Sequence, residues 1–141
     1  MRPWTDRTPG LALLEANDLI AFVATRDLER AGAFYRDVLG LAPLEETPIA
    51  WVLSAHGTTL RVTLVDGFAP PPYTVLGWRV PDVHASVAGL AARGVAFERF
   101  EGMGQDDDGV WTAPSGDRVA WFKDPDGNLL SLTEPAPAPR T

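Results

Sequence analysis

The sequence predicts an α+β domain made of two tandem β-α-β-β-β modules. Three observations carry this. A plan of strand, Asp–apolar pair, helical segment and glycine stop occurs twice. Apolar residues recur at helical spacing after each of the two aspartates. Turn-forming clusters cut the rest of each half into short, strand-like runs.

The first unit opens on Leu19-Ile-Ala-Phe-Val-Ala-Thr-Arg-Asp27, and the second on Val75-Leu-Gly-Trp-Arg-Val-Pro-Asp82. Asp27 and Asp82 occupy N-cap positions, where a carboxylate accepts orphan backbone N–H bonds. Leu28, Ala31, Phe34, Tyr35, Val38 and Leu39 then form one helical stripe, and Val83, Val87, Leu90 and Ala91 the other. Gly40 and Gly94 supply the left-handed residue that ends each helix. Strands are expected at 41–46, 49–54 and 58–65, with Ala55-His56-Gly57 as a tight turn. In the second half they are expected at 95–100, 118–123 and 128–133. Ser115-Gly116-Asp117 and Asp124-Pro125-Asp126-Gly127 are read as turns.

One domain is expected over residues 18–134, with module one at 18–67 and module two at 73–134. The connector Phe68-Ala-Pro-Pro-Pro72 is stiff. Residues 1–17 are an N-terminal extension with a possible short helix at Leu11–Ala16, and 135–141 a Pro/Ala-rich tail expected to be disordered.

Composition excludes several functions. With no Cys there is no disulfide, thiolate metal site or Cys nucleophile. A net charge of -7 argues against a nucleic-acid partner and, taken alone, favours neutral or cationic ligands. No apolar run has membrane-spanning length, so no membrane role and a cytoplasmic location are expected.

The doubled plan, the string Asp27-Leu-Glu-Arg-Ala-Gly-Ala-Phe-Tyr-Arg-Asp-Val-Leu-Gly40-Leu and the ending Trp121-Phe-Lys-Asp-Pro-Asp-Gly-Asn-Leu-Leu-Ser131 together resemble the vicinal-oxygen-chelate superfamily of glyoxalases, bleomycin-resistance proteins and dioxygenases. The resemblance covers residues 18–134 and implies sheets curled into a cup with helices on the outer face. It also implies four metal-ligand positions, which fall here on Ile20, Val75, Ser131 and either Arg61 or Thr63. None is His, Asp or Glu, and transition-metal sites need several converging N or O donors. A member without the family metal, and with no cofactor, is the expectation.

Strand alternation then predicts the lining of the cup. Ile20, Phe22, Ala24, Val75, Gly77 and Arg79 would face inward, while Leu19, Ala21, Val23, Leu76, Trp78 and Val80 pack under the helices. Leu129, Ser131 and Thr133 would join the lining, as would Val119, Trp121 and Lys123, with Phe122 on the helix side. Trp121 either lines the cup or packs at a dimer interface. Trp111 is a mouth residue or a loop anchor, and Trp51 fits either face. Arg61 and Arg79 are partners for a ligand carboxylate or carbonyl, or else surface ions. The candidate ligand-binding set is Ile20, Phe22, Arg61, Thr63, Val75, Arg79, Trp111, Trp121 and Ser131.

His56, in a turn, and His84, near a helix start, are read as solvated, with no partner evident in the sequence. Ser54, Ser115 and Ser131 lack a nucleophile-elbow context. Asp106-Asp-Asp-Gly109 and Asp124-Pro-Asp-Gly127 lack the full spacing of a calcium loop, and Gly102-Met-Gly104 has no following helix to bind a nucleotide. The leading expectation is a binding protein that takes a hydrophobic or aromatic organic molecule, as in drug sequestration, and acts as a homodimer. The alternative is a metal-free isomerase or epimerase on a small carbonyl compound, with Glu45, Glu46, Glu98 or His56 as base. A lyase or dioxygenase with relocated metal ligands ranks last.

Overall fold

The computed structural model describes residues 13–138. It contains two four-stranded mixed sheets, each built from one half of the chain. In the first half, β1 (Ile20–Thr25) leads to α1 (Leu28–Ala33), then β2 (Ala42–Glu46), β3 (Ala50–Ala55) and β4 (Thr58–Leu64). In the second, β5 (Thr74–Arg79) leads to α2 (Val83–Ala91), then β6 (Trp111–Thr112), β7 (Arg118–Lys123) and β8 (Leu129–Glu134). The sheet orders are β1-β4-β3-β2 and β5-β8-β7-β6. The helical crossover makes β1 parallel to β4 and β5 parallel to β8, and the remaining pairs are antiparallel.

The local signals explain both helices. Asp27 Oδ1 accepts from Arg30 N–H, and Asp82 Oδ1 from Ala85 N–H, each at 3.1 Å. α1 buries Leu28 and Ala31, and then widens into a π-helical turn over Phe34–Val38. That turn delivers Tyr35 to the interior and sets Phe34 edge-on to it, with ring centroids 5.3 Å apart. Gly40 and Gly94 take φ of 79° and 93° as the stop positions require. The His56–Gly57 turn has φ of 50° and 87°, the pair of positive angles that a two-residue hairpin turn uses.

One core joins both halves. Val23, Leu28, Ala31, Tyr35, Leu53, Leu60 and Val62 pack in one cluster with Val83, Val87, Ala120, Phe122, Leu130 and Leu132. Each sheet therefore has a helix-covered face and a helix-free face.

Three expectations need correction. Residues 95–100 are not a strand. Phe97 bridges Phe122, Glu98 N–H bonds Trp121 O at 2.8 Å, and the chain then leaves the sheet until β6. Gln105 holds this excursion, accepting from Phe100 N–H and donating to the carbonyls of Glu98 and Gly109. Leu19 does not pack under a helix; it is 73% exposed just ahead of β1. The part of Leu11–Ala16 within the described residues is a turn, and the rest lies outside them. Of the expected tail, residues 135–138 are irregular, with Ala136 N–H on Asp117 Oδ1 at 2.7 Å, and 139–141 lie outside the described residues.

The β7–β8 turn joins the halves. Asp124 Oδ1 accepts from the N–H groups of Asp126 and Asn128, each at 2.9 Å. Its Oδ2 accepts from Tyr35 Oη at 2.8 Å. Asp126 accepts from the Thr25 hydroxyl, from Arg26 N–H at 3.0 Å and from Arg30 at 3.3 Å. Asn128 Nδ2 donates to Ala24 O at 2.9 Å. Module one's turn, Ala55-His56-Gly57, is too short to reach across in the same way. A cavity of about 450 Å³ remains there, with Ala21 and Leu60 on one side and Leu76 and Trp78 on the other.

Candidate functional site

Strand register sorts the candidate residues by face, because cross-strand partners point to the same side. In the first sheet one row runs Phe22–Arg61–Val52–Glu45, and its neighbours run Ile20–Thr59–Ser54 and Ala24–Thr63–Ala50. The opposite side carries the buried Val23, Leu53, Leu60 and Val62. Ile20, Phe22, Arg61 and Thr63 thus share the helix-free face, where Ile20 is 51% and Phe22 63% exposed. Trp51 lies on the other side, with its ring against Gly32 of α1 and the Arg36 guanidinium 5.5 Å from its centroid.

In the second sheet, Trp121 pairs with Ser131 and Ser131 with Gly77. The next row is Arg79–Thr133–Val119–Trp111. Arg79, Trp111, Trp121 and Ser131 therefore share the helix-free face of this sheet. A Cβ on Gly77 would sit 2.6 Å from Ser131 Oγ, so glycine is what leaves room for the serine. Trp78 and Phe122 lie on the helix side. Val75 is the exception among the candidates. The register shifts between Thr74 and Leu76, so Val75 is the extra residue of a bulge and packs against the core. Plain alternation cannot anticipate such a change of phase.

The main feature of this face is aromatic. The Trp111 and Trp121 rings lie 6.0 Å apart at 35°, and Phe100 meets Trp121 edge-on at 5.4 Å. Trp111 reaches this position on a strand, not in a loop, because β6 pairs it with Val119. Phe100 was absent from the sequence-derived set. Its place depends on the excursion after Glu98, and the Gly- and Asp-rich composition of the stretch that follows marks it as irregular without showing where the ring lands.

The carboxylates that could serve as a base are spread over different surfaces: Glu45 lies on the helix-free face of the first sheet and Glu46, paired with Trp51, on its helix side. Glu45 and Glu46 are exposed, and Glu98 is ion-paired with Lys123 at 3.6 Å. The buried carboxylates, Asp124 and Asp126, are used in the turn between the halves. Burial pushes the Tyr35 phenol far above its usual range, reinforced by the neighbouring Asp124 and Asp126, so it stays neutral and donates. Burial also works to raise Asp126. The Thr25 hydroxyl, Arg26 N–H and Arg30 outweigh it and hold that carboxyl below the usual range.

His84 has a partner that the sequence did not reveal. Its Nε2 lies 2.8 Å from Asp106 Oδ2, and that bond raises its pKa. Asp108 completes a group of three whose ligand atoms lie within 4.8 Å of one another. This group lies at the start of α2 and in the excursion, among exposed or half-buried residues. Ile20, Ser131, Arg61 and Thr63, where the resemblance would put metal ligands, carry no imidazole or carboxylate.

Two β-α-β-β-β halves, with sheets that each leave one face uncovered, define the class to which this molecule belongs. The family model of the Glyoxalase/Bleomycin resistance protein/Dioxygenase superfamily matches residues 18–132, and the chain belongs to that superfamily. Among solved structures it is similar to TnmS3, an antibiotic binding protein from Streptomyces sp. CB03234, at 30% identity, covering 89% of this chain and 100% of that one, with a TM-score of 0.65. A superfamily member from Sphaerobacter thermophilus is 27% identical over 86% of this chain and 99% of its own, with a TM-score of 0.68. Lactoylglutathione lyase from Agrobacterium tumefaciens, at 18% identity over 84% of this chain and 93% of its own and a TM-score of 0.66, shares the fold. No curated protein matches the chain. Among the described residues no helix is long and apolar enough to cross a membrane.

Proposed function

We propose that this chain is a metal-independent small-molecule-binding protein that takes up a flat hydrophobic or aromatic compound on the helix-free face of its second sheet and sequesters it. The observation that carries this reading is the cluster of Phe100, Trp121 and Trp111, with ring separations of 5.4 and 6.0 Å, on a sheet face that no helix covers. Half-exposed indoles give a large contact area with few rotamers to freeze. The antibiotic-binding function of TnmS3 supports the same direction. Metal-based chemistry has no support from Ile20, Ser131, Arg61 or Thr63, none of which is an imidazole or carboxylate. An isomerase reading would require a sequestered base, and Glu45 is exposed.

Titration with a panel of polycyclic aromatic compounds, followed by tryptophan fluorescence, tests the reading. Saturable quenching is expected, with affinity about tenfold weaker in Trp121→Ala, equivalent to about 1.4 kcal/mol of lost stacking and contact. A panel that leaves the emission unchanged would refute it.

The reading includes a homodimer that covers the exposed Ile20 and Phe22 on the helix-free face of the first sheet. Sedimentation equilibrium is expected to give twice the 15.2 kDa of one chain. A monomer at micromolar concentration would mean that this face is left uncovered.

A further inference from the structure

The two ends of the doubled plan are closed differently. At one end the Asp124–Asn128 turn reaches from the second half onto the end of β1. Asn128 Nδ2 donates to Ala24 O at 2.9 Å, and Asp126 brings a carboxylate to Arg26 N–H at 3.0 Å. At the other end the corresponding turn, between β3 and β4, is only Ala55-His56-Gly57, and the cavity of about 450 Å³ takes the place that a longer turn would fill. Arg79 stands three residues before the cap Asp82, as Ala24 stands three before Asp27. Arg79 is thus the counterpart of the residue that the longer turn grips, and it borders the cavity.

The lining suits an amphipathic guest. Ala21, Leu60, Leu76 and Trp78 supply apolar walls. β5 is the edge strand of its sheet, so residues of both its faces reach the opening, Arg79 beside Trp78. His56 and Thr58 border the cavity from the first half. None of these three polar side chains makes a hydrogen bond or ion pair among the described residues. For the guanidinium this is unusual in a chain with 19 acidic residues against 12 arginines and lysines. Arg26 and Arg30 bond Asp126, Arg36 bonds Asp37, Arg118 bonds Glu134 and Lys123 bonds Glu98. Arg93 donates to Val38 O, and Arg99 to the carbonyls of Asp106 and Asp107. A guanidinium binds a carboxylate in bidentate fashion, with charge and geometry both matched. The volume lies within the range of roughly 300–1,000 Å³ that small-molecule pockets span.

We infer that this cavity is a second ligand site, for a small carboxylic acid with an apolar body. The body lies among Leu60, Leu76 and Trp78, and the carboxylate pairs with Arg79. The ligand brings from solution the charge that Asp126 brings at the other end. The site lies at the β5 edge of the second sheet, opposite the β6 edge that carries Trp111, so its failure leaves the reading of the aromatic cluster standing.

The test is calorimetric titration with octanoate and with octan-1-ol, in the wild type, Arg79→Gln and Ala21→Leu. Neither probe has a ring to stack on the aromatic cluster. Octanoate is expected to bind at least about tenfold more tightly than the alcohol, as a charge-assisted pair implies. Arg79→Gln should abolish that preference and leave the affinity for the alcohol unchanged. Ala21→Leu narrows the cavity and should weaken both probes by about tenfold. Circular dichroism checks that the variants remain folded. Equal binding of acid and alcohol, an acid preference that survives Arg79→Gln, or unaltered binding in Ala21→Leu overturns the inference. So does the absence of heat from octanoate at millimolar concentration, whatever else fills the cavity.

Discussion

Asp126→Ala is expected to destabilise the protein by about 2–4 kcal/mol, read from chemical or thermal denaturation. The carboxylate side chain is fully buried and accepts from the Thr25 hydroxyl and Arg26 N–H as well as from Arg30. Its removal leaves the Arg26 N–H without its acceptor and the buried Thr25 hydroxyl with only the bond to Asp27 O at 3.1 Å. The Arg26 and Arg30 side chains, 48% and 49% exposed, regain water and add little to the loss. Arg30→Gln is therefore expected to cost under about 1 kcal/mol. The same carboxylate gives a pH signature. Its folded-state pKa lies below the usual value, so its contribution is complete above the unfolded pKa of about 4 and fades as pH falls through the folded value. The melting temperature should hold steady from pH 7 to 5 and fall below about pH 4, less steeply in Asp126→Asn. A loss of under about 1 kcal/mol in Asp126→Ala would show that the turn does not hold the halves together.

Two glycine-to-alanine changes in helices are expected to have opposite signs. Alanine normally stabilises a helix over glycine by about 1 kcal/mol. At Gly32 a Cβ would lie 2.0 Å from Trp51 Cε3 and 2.3 Å from Cζ3. An indole wedged between α1 and the Arg36 guanidinium cannot yield that distance by a rotamer change alone. Overpacking of this kind costs about 3 kcal/mol, so a net loss of about 2 remains after the helix gain. At Gly89 of α2 nothing lies within 4 Å of the would-be Cβ, and Gly89→Ala should stabilise by about 0.5–1 kcal/mol. Paired denaturation curves that move in the same direction would contradict this account of Gly32.

The fold was legible because its signals are local. Each N-cap aspartate sits next to its helix, each stop glycine carries its own φ, and the turn between β3 and β4 is two residues of sequence. The phase of β7 and β8 was legible as well, since Phe122, Leu130 and Leu132 alternate cleanly with Trp121 and Ser131. Features that depend on distant partners could not be read. Asp124-Pro125-Asp126-Gly127 was read correctly as a turn, but its bonds to Thr25, Arg26 and Tyr35 span 89 to 101 residues. Val95–Phe100 has strand-like composition, yet only Phe97 and Glu98 meet β7 before Gln105 and a run of glycines carry the chain away. Phe100 entered the aromatic cluster through that same excursion. Val75 lost its expected place to a bulge one residue wide.

The reach of Asp124–Asn128 across the molecule governs how it comes apart. The two halves look like duplicates, yet only one carries an arm that closes the polar interior of the other. If the second half unravels, the first is left with a buried tyrosine whose hydroxyl has lost its acceptor and a threonine that keeps only its bond to Asp27 O. If the first unravels, Asp126 loses the Thr25, Arg26 and Arg30 donors that made its burial tolerable, and Asp124 loses Tyr35. Partial unfolding is thus penalised from either end, and the pseudo-repeat melts as a single cooperative body rather than as two beads on a string.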